Sequence, residues 1–232
     1  MLSRRLLLVA ACAVAAAGFW WLSRAVGDSG AALFTGAVAV AVVLAFVVLF
    51  EVSDIRAREL AIIALLGTVS ALLRVPFAAV PSLQPSTYLV ICSGVVFGPV
   101  AGFMVGALTA VVSNFFLGHG PWTLFQMVAW GLAGASAPVM RRLGVKTGVL
   151  VFFGALWGIL FGLITNLWMW IAFVYPLTFG SFVVTWANSI WFDSIHAVGN
   201  AFFLAAFGLK TIRILERYHQ RFSWERTDIE DA

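Results

Sequence analysis

Four polar side chains share one face of the apolar segment 187–210. Ser189, Asp193, His196 and Asn200 recur at steps of four, three and four residues, the spacing of a single helical face. A carboxylate inside a membrane-spanning segment is costly and indicates a function by default. His196 lies one turn from Asp193 and could tune it. The alternative is a structural pair with no further role.

A second group of polar and aromatic residues surrounds a turn. Asn114 stands near the end of one apolar run, and the turn Gly118-His119-Gly120-Pro121 follows. The next apolar run begins at once and carries Trp122, Gln126 and Trp130 on its first turns. Amides supply hydrogen bonds and indoles supply ring surface, a combination typical of a site for a small organic solute.

Three further polar residues come from distant parts of the sequence. Arg74 ends an apolar run, Gln84 lies in the loop after it, and Asn166 lies near the corresponding end of a later run. A single water-accessible cavity that opens outward would explain all of these groups. Each also has a simpler interpretation. Arg74 could reach lipid headgroups, Asn166 could bridge helices, and His119 could be a solvated loop residue.

The composition excludes a soluble domain. The chain is 62% hydrophobic and 10% charged, and its mean hydropathy is +1.03. The apolar runs are continuous, whereas a transmembrane β-barrel needs alternation. The sequence therefore predicts an all-α polytopic membrane protein.

The net charge of +4 comes from short basic clusters, so no nucleic-acid partner is expected. Cys12 and Cys92 lie inside apolar runs, so neither a disulfide framework nor a metal site or cofactor is predicted.

The apolar runs predict eight membrane spans in three regions. A helix pair and charged linker occupy 1–58, a six-helix domain 59–210, and a charged tail 211–232. The expected spans are 6–22, 31–50, 60–78, 86–98, 99–117, 122–140, 147–174 and 187–210.

The first run has three interpretations. It could be an uncleaved helix, a signal peptide with small residues at 15–17, or a lipoprotein-like leader before Cys12. We favour the uncleaved helix, because Phe19, Trp20 and Trp21 continue it like an interfacial aromatic belt.

Basic residues predict the orientation. Lys and Arg accumulate in cytoplasmic loops, and eight spans place every basic cluster on one side: Arg4/Arg5, Arg56/Arg58, Arg141/Arg142/Lys146 and Lys210/Arg213/Arg217/Arg221. Both termini are then cytoplasmic, and the protein lies in the cell membrane. The expected outer loops are 24–30, 79–85, 118–121 and 175–186.

Small residues at helix-packing spacing predict close helix contacts. Gly102, Gly106 and Ala110 form one such series, and Gly154, Gly158 and Gly162 another; both suit packing within the bundle. The first core helix carries two registers, and we reserve it for a partner protein. They are Ala64/Thr68 and Gly67/Ala71.

Three classes of function compete. The first is solute capture for uptake; no phosphate-binding loop is present, so ATP would have to be hydrolysed by another chain. The second is a stand-alone secondary transporter, which usually contains internal repeats. No second copy of the Gly-Pro-Trp-x-x-x-Gln pattern is present, which makes this class less favoured without excluding it. The third is an intramembrane enzyme, but neither a Gly-x-Ser-x-Gly nor a His-Glu-x-x-His motif is present. We therefore expect no enzyme.

Three motifs carry a resemblance to a transporter family. They are Ile91-Cys-Ser-Gly-Val-Val-Phe-Gly-Pro-Val-Ala-Gly-Phe103, Ser113-Asn114 and Gly120-Pro-Trp-Thr-x-x-Gln-Met127. In combination they resemble the substrate-specific S components of energy-coupling factor (ECF) transporters. The similarity is greatest to the branch that includes cobalamin-type S components. It covers about residues 59–210.

The resemblance implies a fold, partners and a substrate class. S components are six-helix bundles that bind a vitamin or related micronutrient at the outer face. They dock on a transmembrane T component with two ATPases and are described as toppling to deliver their cargo. The family's docking pattern usually has alanine at both positions, so Thr68 and Gly67 are departures, as is the N-terminal helix pair.

The expected substrate is a vitamin, with cobalamin or a precursor as one candidate and riboflavin, thiamine or biotin as smaller ones. The expected substrate contacts are Arg74, Gln84, Asn114, His119, Trp122, Gln126, Trp130, Asn166, Asp193 and His196, with His196 tuning Asp193. The expected partner-docking residues are Ala64, Gly67, Thr68 and Ala71.

Overall fold

The computed structural model describes residues 28–53 and 57–224, and these parts are helical without any strand. The predicted span 6–22 and the end of the tail lie outside the described residues. The helices are α1 Asp28–Glu51, α2 Ala57–Arg74, α3 Ser86–Phe97, α4 Pro99–Leu117, α5 Trp122–Ser136, α6 Val139–Leu143, α7 Thr147–Phe173, α8 Phe179–Phe203 and α9 Leu209–Trp224.

Five candidate membrane spans lie in the described parts of the chain. They comprise α1, α2 with the 3₁₀ turn that follows it, α4, α7, and α8 continued into α9. The all-α polytopic prediction is therefore confirmed. Two predicted spans, 86–98 and 122–140, are shorter: α3 has 12 residues, and α5 ends at Ser136 before the separate helix α6. A helix needs about 20 apolar residues to cross the hydrocarbon core. Both helices are too short to do so alone and pack among longer neighbouring helices.

The two ends of the bundle differ in chemistry. We call the end with segments 75–85, 118–121 and 174–178 the loop end. The opposite end carries Arg141, Arg142 and α9, and we call it the basic end. Since α2, α4 and α7 run toward the loop end while α3, α5 and α8 run away from it, the predicted site residues fall on the loop-end half.

Glycine contacts hold the central helices close. A Cβ at Gly102 would lie 2.5 Å from the carbonyl oxygen of Gly134, and one at Gly134 would lie 2.1 Å from that of Gly102. The helices α4 and α5 thus meet backbone to backbone. On α7, a Cβ at Gly158 would lie 2.4 Å from Ala197 Cα of α8. Both glycine series therefore pack within the bundle, as the spacing predicts.

The helix α8 begins earlier than the predicted span 187–210 and ends at Phe203, where a π turn follows. Thr178 and Ser181 form a capping box: Ser181 N donates to Thr178 Oγ1 at 3.1 Å, and Thr178 N donates to Ser181 Oγ at 3.0 Å. Because this cap starts α8 at Phe179, the predicted loop 175–186 is wrong and shrinks to 174–178.

The predicted charged tail is helical as far as the structure describes it. A π turn, Leu204–Gly208, joins α8 to α9, which crosses the basic end of α3. The ring centroids of Phe97 and His219 lie 5.4 Å apart, and Arg141 Nη2 lies 3.8 Å from Glu216 Oε1. The helix α9 is amphipathic, and its apolar residue Ile212 is buried in the core.

Candidate functional site

Arg74 joins two helices at the loop end. It is the last residue of α2 and is only 7% exposed. Its Nε donates to Gln84 Oε1 at 3.2 Å, and its Nη1 donates to both Ser113 Oγ and Asn114 Oδ1 at 2.7 Å. The guanidinium therefore fixes the loop after α2 against the end of α4.

Asn114 extends these contacts to α5. Its Nδ2 donates to Thr123 Oγ1 at 2.9 Å and to Gln126 Oε1 at 2.8 Å. His119 stands at the edge of this group, with Nδ1 3.4 Å from Thr123 Oγ1 and its ring edge-on to that of Phe115. Asn114 is thus the link between the turn 118–121 and Arg74.

Trp130 connects Arg74 to α8. The guanidinium carbon of Arg74 lies 4.9 Å from the centroid of the Trp130 ring, and Trp130 Nε1 donates to Thr87 Oγ1 at 3.0 Å. Thr87 Oγ1 lies 3.0 Å from His196 Nε2. Since the hydroxyl already accepts from the indole, its own proton is available to His196 Nε2. The ring of Phe161 stacks on the ring of His196, with centroids 4.8 Å apart.

We call this connected group the arginine network. It joins α2, α3, α4, α5 and α8. Its members are Arg74, Gln84, Thr87, Ser113, Asn114, Thr123, Gln126, Trp130 and His196.

Asp193 belongs to a separate group, the aspartate cluster of Asn166, Ser189 and Asp193. Asn166 Nδ2 donates to Ser189 Oγ at 2.6 Å, and Ser189 Oγ donates to Asp193 Oδ2 at 2.9 Å. Gly162 on α7 leaves room for the carboxylate, because a Cβ there would lie 2.0 Å from Asp193 Oδ1. The cluster therefore fastens α7 to α8.

The expected pairing of His196 with Asp193 is not what the structure shows. His196 bonds Thr87 of α3, whereas Asp193 bonds Ser189 of its own helix. Residues three apart lie about 60° apart around the helix, on one face that is wide enough to meet two different neighbours. Asn200, on the same face, donates to Gly154 O at 3.2 Å and serves helix packing.

The structure buries half of the ten residues expected to line an open cavity. The buried residues are Arg74, Asn114, Trp130, Asp193 and His196. Trp130 is fully buried and presents no free ring face. Trp122 is the exposed aromatic of the group, 37% exposed at the rim, with its ring centroid 6.4 Å from that of Trp168.

Sequence reasoning missed several participants. Thr87, Phe161 and Trp168 contact the predicted residues directly. Thr87 had one available signal, a hydroxyl near the start of an otherwise apolar run.

No group of three or more metal-ligating side chains occurs in the part of the chain that the structure describes.

The two predicted docking registers on α2 face different ways. Ala64 and Thr68 are exposed, whereas Gly67 and Ala71 are buried. A Cβ at Gly67 would lie 2.7 Å from Leu108 Cβ of α4. Gly67 and Ala71 therefore pack inside the bundle, and the prediction that they contact a partner is corrected; only the Ala64/Thr68 register is accessible.

The Thr87 bridge predicts a stability effect. Thr87→Val keeps the shape but leaves Trp130 Nε1 and His196 Nε2 without their partner, so we expect a loss of about 1–3 kcal/mol. Thermal unfolding of purified protein in detergent measures this as a lower midpoint. Thr109→Val is the matched control, because the buried Thr109 hydroxyl only donates to Val105 O of its own helix. Equal midpoints for the two variants would contradict the bridge.

One family model matches most of the chain. The model described as ECF transporter, substrate-specific component, matches residues 58–207. No curated protein and no solved structure matches the chain. The matched range begins with α2 and ends at the π turn after α8, so it contains the arginine network, the aspartate cluster and the exposed α2 register.

Proposed function

The chain belongs to the substrate-specific components of ECF transporters, and from that premise we propose that it captures a vitamin or related micronutrient at the outer face of the cell membrane. Cobalamin or a precursor is one candidate. The family is one of transport components rather than enzymes, and a multi-pass membrane protein agrees with the five candidate spans.

The observation that carries the proposal is the arginine network itself. Hydrogen-bonding groups from five helices converge under the loops of one end. Burying charged and polar groups inside a membrane protein costs free energy. Helices can pack through small residues instead, so a polar cluster of this size indicates a function. Trp122 and Trp168 add ring surface at the rim. Amide donors, a cation and aromatic rings in one place suit an organic solute.

The orientation follows from charge. Arg141, Arg142, Lys146 and the basic residues of α9 gather at the basic end, and cytoplasmic loops are enriched in Lys and Arg. In this proposal the basic end and both termini face the cytoplasm, and the loop end faces outward. Substrate then arrives at segments 75–85, 118–121 and 174–178.

Energy for import comes from other chains in this proposal. The protein docks through the exposed Ala64/Thr68 register of α2 on a transmembrane T component that carries two ATPases. The small side chains allow a partner helix to approach closely. The helix α1 packs on α4 through Phe46 and Phe103, with ring centroids 3.9 Å apart. Among the described residues, this leaves the Ala64/Thr68 face of α2 exposed.

A binding screen tests the function. We expect a vitamin from a panel that includes cobalamin and cobinamide to raise the thermal unfolding midpoint of the purified protein. Trp122→Ala and Asp193→Ala should weaken that shift and reduce uptake in cells. Trp191→Ala is the matched control, because Trp191 is 70% exposed on the outside of α8. If no vitamin binds, and uptake is unchanged in both site variants, the capture function is wrong.

A further inference from the structure

The surroundings of Arg74 identify a class of substrate. We propose that the site takes an organic anion, whose carboxylate or phosphate group binds the Arg74 guanidinium. This inference rests on the proposed function, because it names the substrate class of the same site. It is carried by the burial of Arg74, by the neutrality of its partners and by the donors that it leaves unused.

Arg74 is a buried cation without a counter-ion. Its partners Gln84, Ser113 and Asn114 are neutral, and so is the ring of Trp130 beneath it. No carboxylate whose side chain the structure describes forms an ion pair with it. The carboxylate of Asp193, in the loop-end half, accepts a hydrogen bond from Ser189 instead. A buried charge is costly unless it is paired, so an anionic ligand would supply the counter-charge that the described residues do not.

Arg74 also keeps donors for a ligand. A guanidinium has five N–H groups, and the three bonds that the structure shows use Nε and Nη1. The two N–H groups of Nη2 remain. The fully enclosed side-chain atoms without a partner, within the described residues, are Ser86 Oγ, Trp186 Nε1 and Asn200 Oδ1, so Nη2 is not sealed off. Nη2 can therefore donate two hydrogen bonds to a carboxylate or phosphate, and bonds from a cation to an anionic acceptor are stronger than neutral ones.

The neighbours of Arg74 fix the position of its guanidinium, and the charge of the guanidinium disfavours cationic ligands. Trp130 supports its face, while Gln84 and Asn114 fix its plane. The guanidinium repels a cationic ligand such as thiamine. It has donors but no acceptor, whereas the neutral amides and hydroxyls around it can also accept a hydrogen bond. Selection of this kind acts through repulsion as well as attraction.

Matched pairs of ligands test the inference on the full-length protein in lipid nanodiscs. The carboxylate arm compares biotin with biotinamide, nicotinate with nicotinamide and pantothenate with panthenol. The phosphate arm compares pyridoxal 5′-phosphate with pyridoxal. Thiamine, cobalamin and cobinamide complete the panel. We expect at least one acid to bind about tenfold or more tightly than its neutral counterpart, as a charge-assisted hydrogen bond implies.

Variants assign the preference to Arg74. Arg74→Gln should abolish the difference between acid and neutral ligand, and Arg74→Lys should keep part of it, because the charge remains without the planar fork. Arg213→Gln removes an exposed arginine of α9 and should leave the difference unchanged. The comparison of ligands on the unaltered protein decides the question even where Arg74→Gln fails to fold.

Three outcomes overturn the anion inference: equal affinity for acid and neutral ligand, a preference for thiamine or a corrinoid, or no binding of any acid. A tightly bound neutral or cationic vitamin, together with an ATPase pair that co-purifies, would overturn this inference and leave the proposed function standing. If no vitamin of any charge binds and no ATPase co-purifies, the proposed function fails as well.

Discussion

We expect Ala64→Trp to release the protein from the proposed T component and ATPases while its own fold persists. Ala64 is exposed on α2 and is not a member of either core cluster. A tryptophan there adds a large side chain where two helices must approach closely, which small residues otherwise permit. Co-purification of the ATPase pair with the tagged protein should fall to background, and the thermal unfolding midpoint of the isolated protein should change little.

The opposite result is expected at Ala71, seven residues along the same helix. Ala71 is fully buried in the bundle, so Ala71→Trp overpacks the contact between α2 and its neighbours and should lower the unfolding midpoint directly. Ala187→Trp on α8 is the matched control for bulk at an exposed alanine. Retention of the ATPases by Ala64→Trp, or their loss in Ala187→Trp, would show that the partner uses another surface.

The orientation of the two α2 registers illustrates what a single sequence cannot decide. Both have small residues at the spacing that helix packing uses, and both lie in the same apolar run. They differ only in what stands opposite: Leu108 of α4 faces Gly67, while Ala64 faces away from the bundle. That information is in the tertiary arrangement, and no property of α2 alone contains it.

Helix limits were predictable where the chain is continuously apolar between strong breakers. The predicted span 99–117 coincides with α4, because Gly98-Pro99 starts the helix and Gly118 ends it with a positive φ of 99°. The start of α8 was missed, because Thr178, Ser181 and Thr185 lower the local hydropathy and resemble a loop. Their hydroxyls instead cap the helix or donate to carbonyls within it.

The members of the site were more predictable than their connections. Arg74, Asn114, Gln126 and Trp130 are conspicuous in apolar runs, and the structure joins all four. Their partners were not predictable, because a hydroxyl such as Thr87 has no distinguishing spacing. The period of α8 placed Asp193 and His196 on one face, but a face is wide enough to meet two different neighbours.

Gly134→Ala should damage both stability and capture, because it acts on the contact that sets the distance between α4 and α5. The new Cβ would lie 2.1 Å from the carbonyl oxygen of Gly102, and a backbone atom cannot rotate away as a side chain can. Overpacking costs about 1–3 kcal/mol and more where the backbone must shift. Asn114 on α4 and Gln126 on α5 are joined at 2.8 Å, so separating the helices also strains the arginine network.

A glycine elsewhere separates this clash from the general effect of the substitution. Around Gly36 of α1 nothing lies within 4 Å of an added Cβ, so Gly36→Ala should stabilise its helix by about 0.5–1 kcal/mol through the lost flexibility of glycine. Gly134→Ala should lower both the thermal unfolding midpoint and the ligand affinity, whereas Gly36→Ala should raise the midpoint slightly and leave the affinity unchanged. If Gly134→Ala instead matches Gly36→Ala in both measurements, the helices are not in backbone contact. The geometry of Asn114 and Gln126 would then have to be set by the arginine network alone.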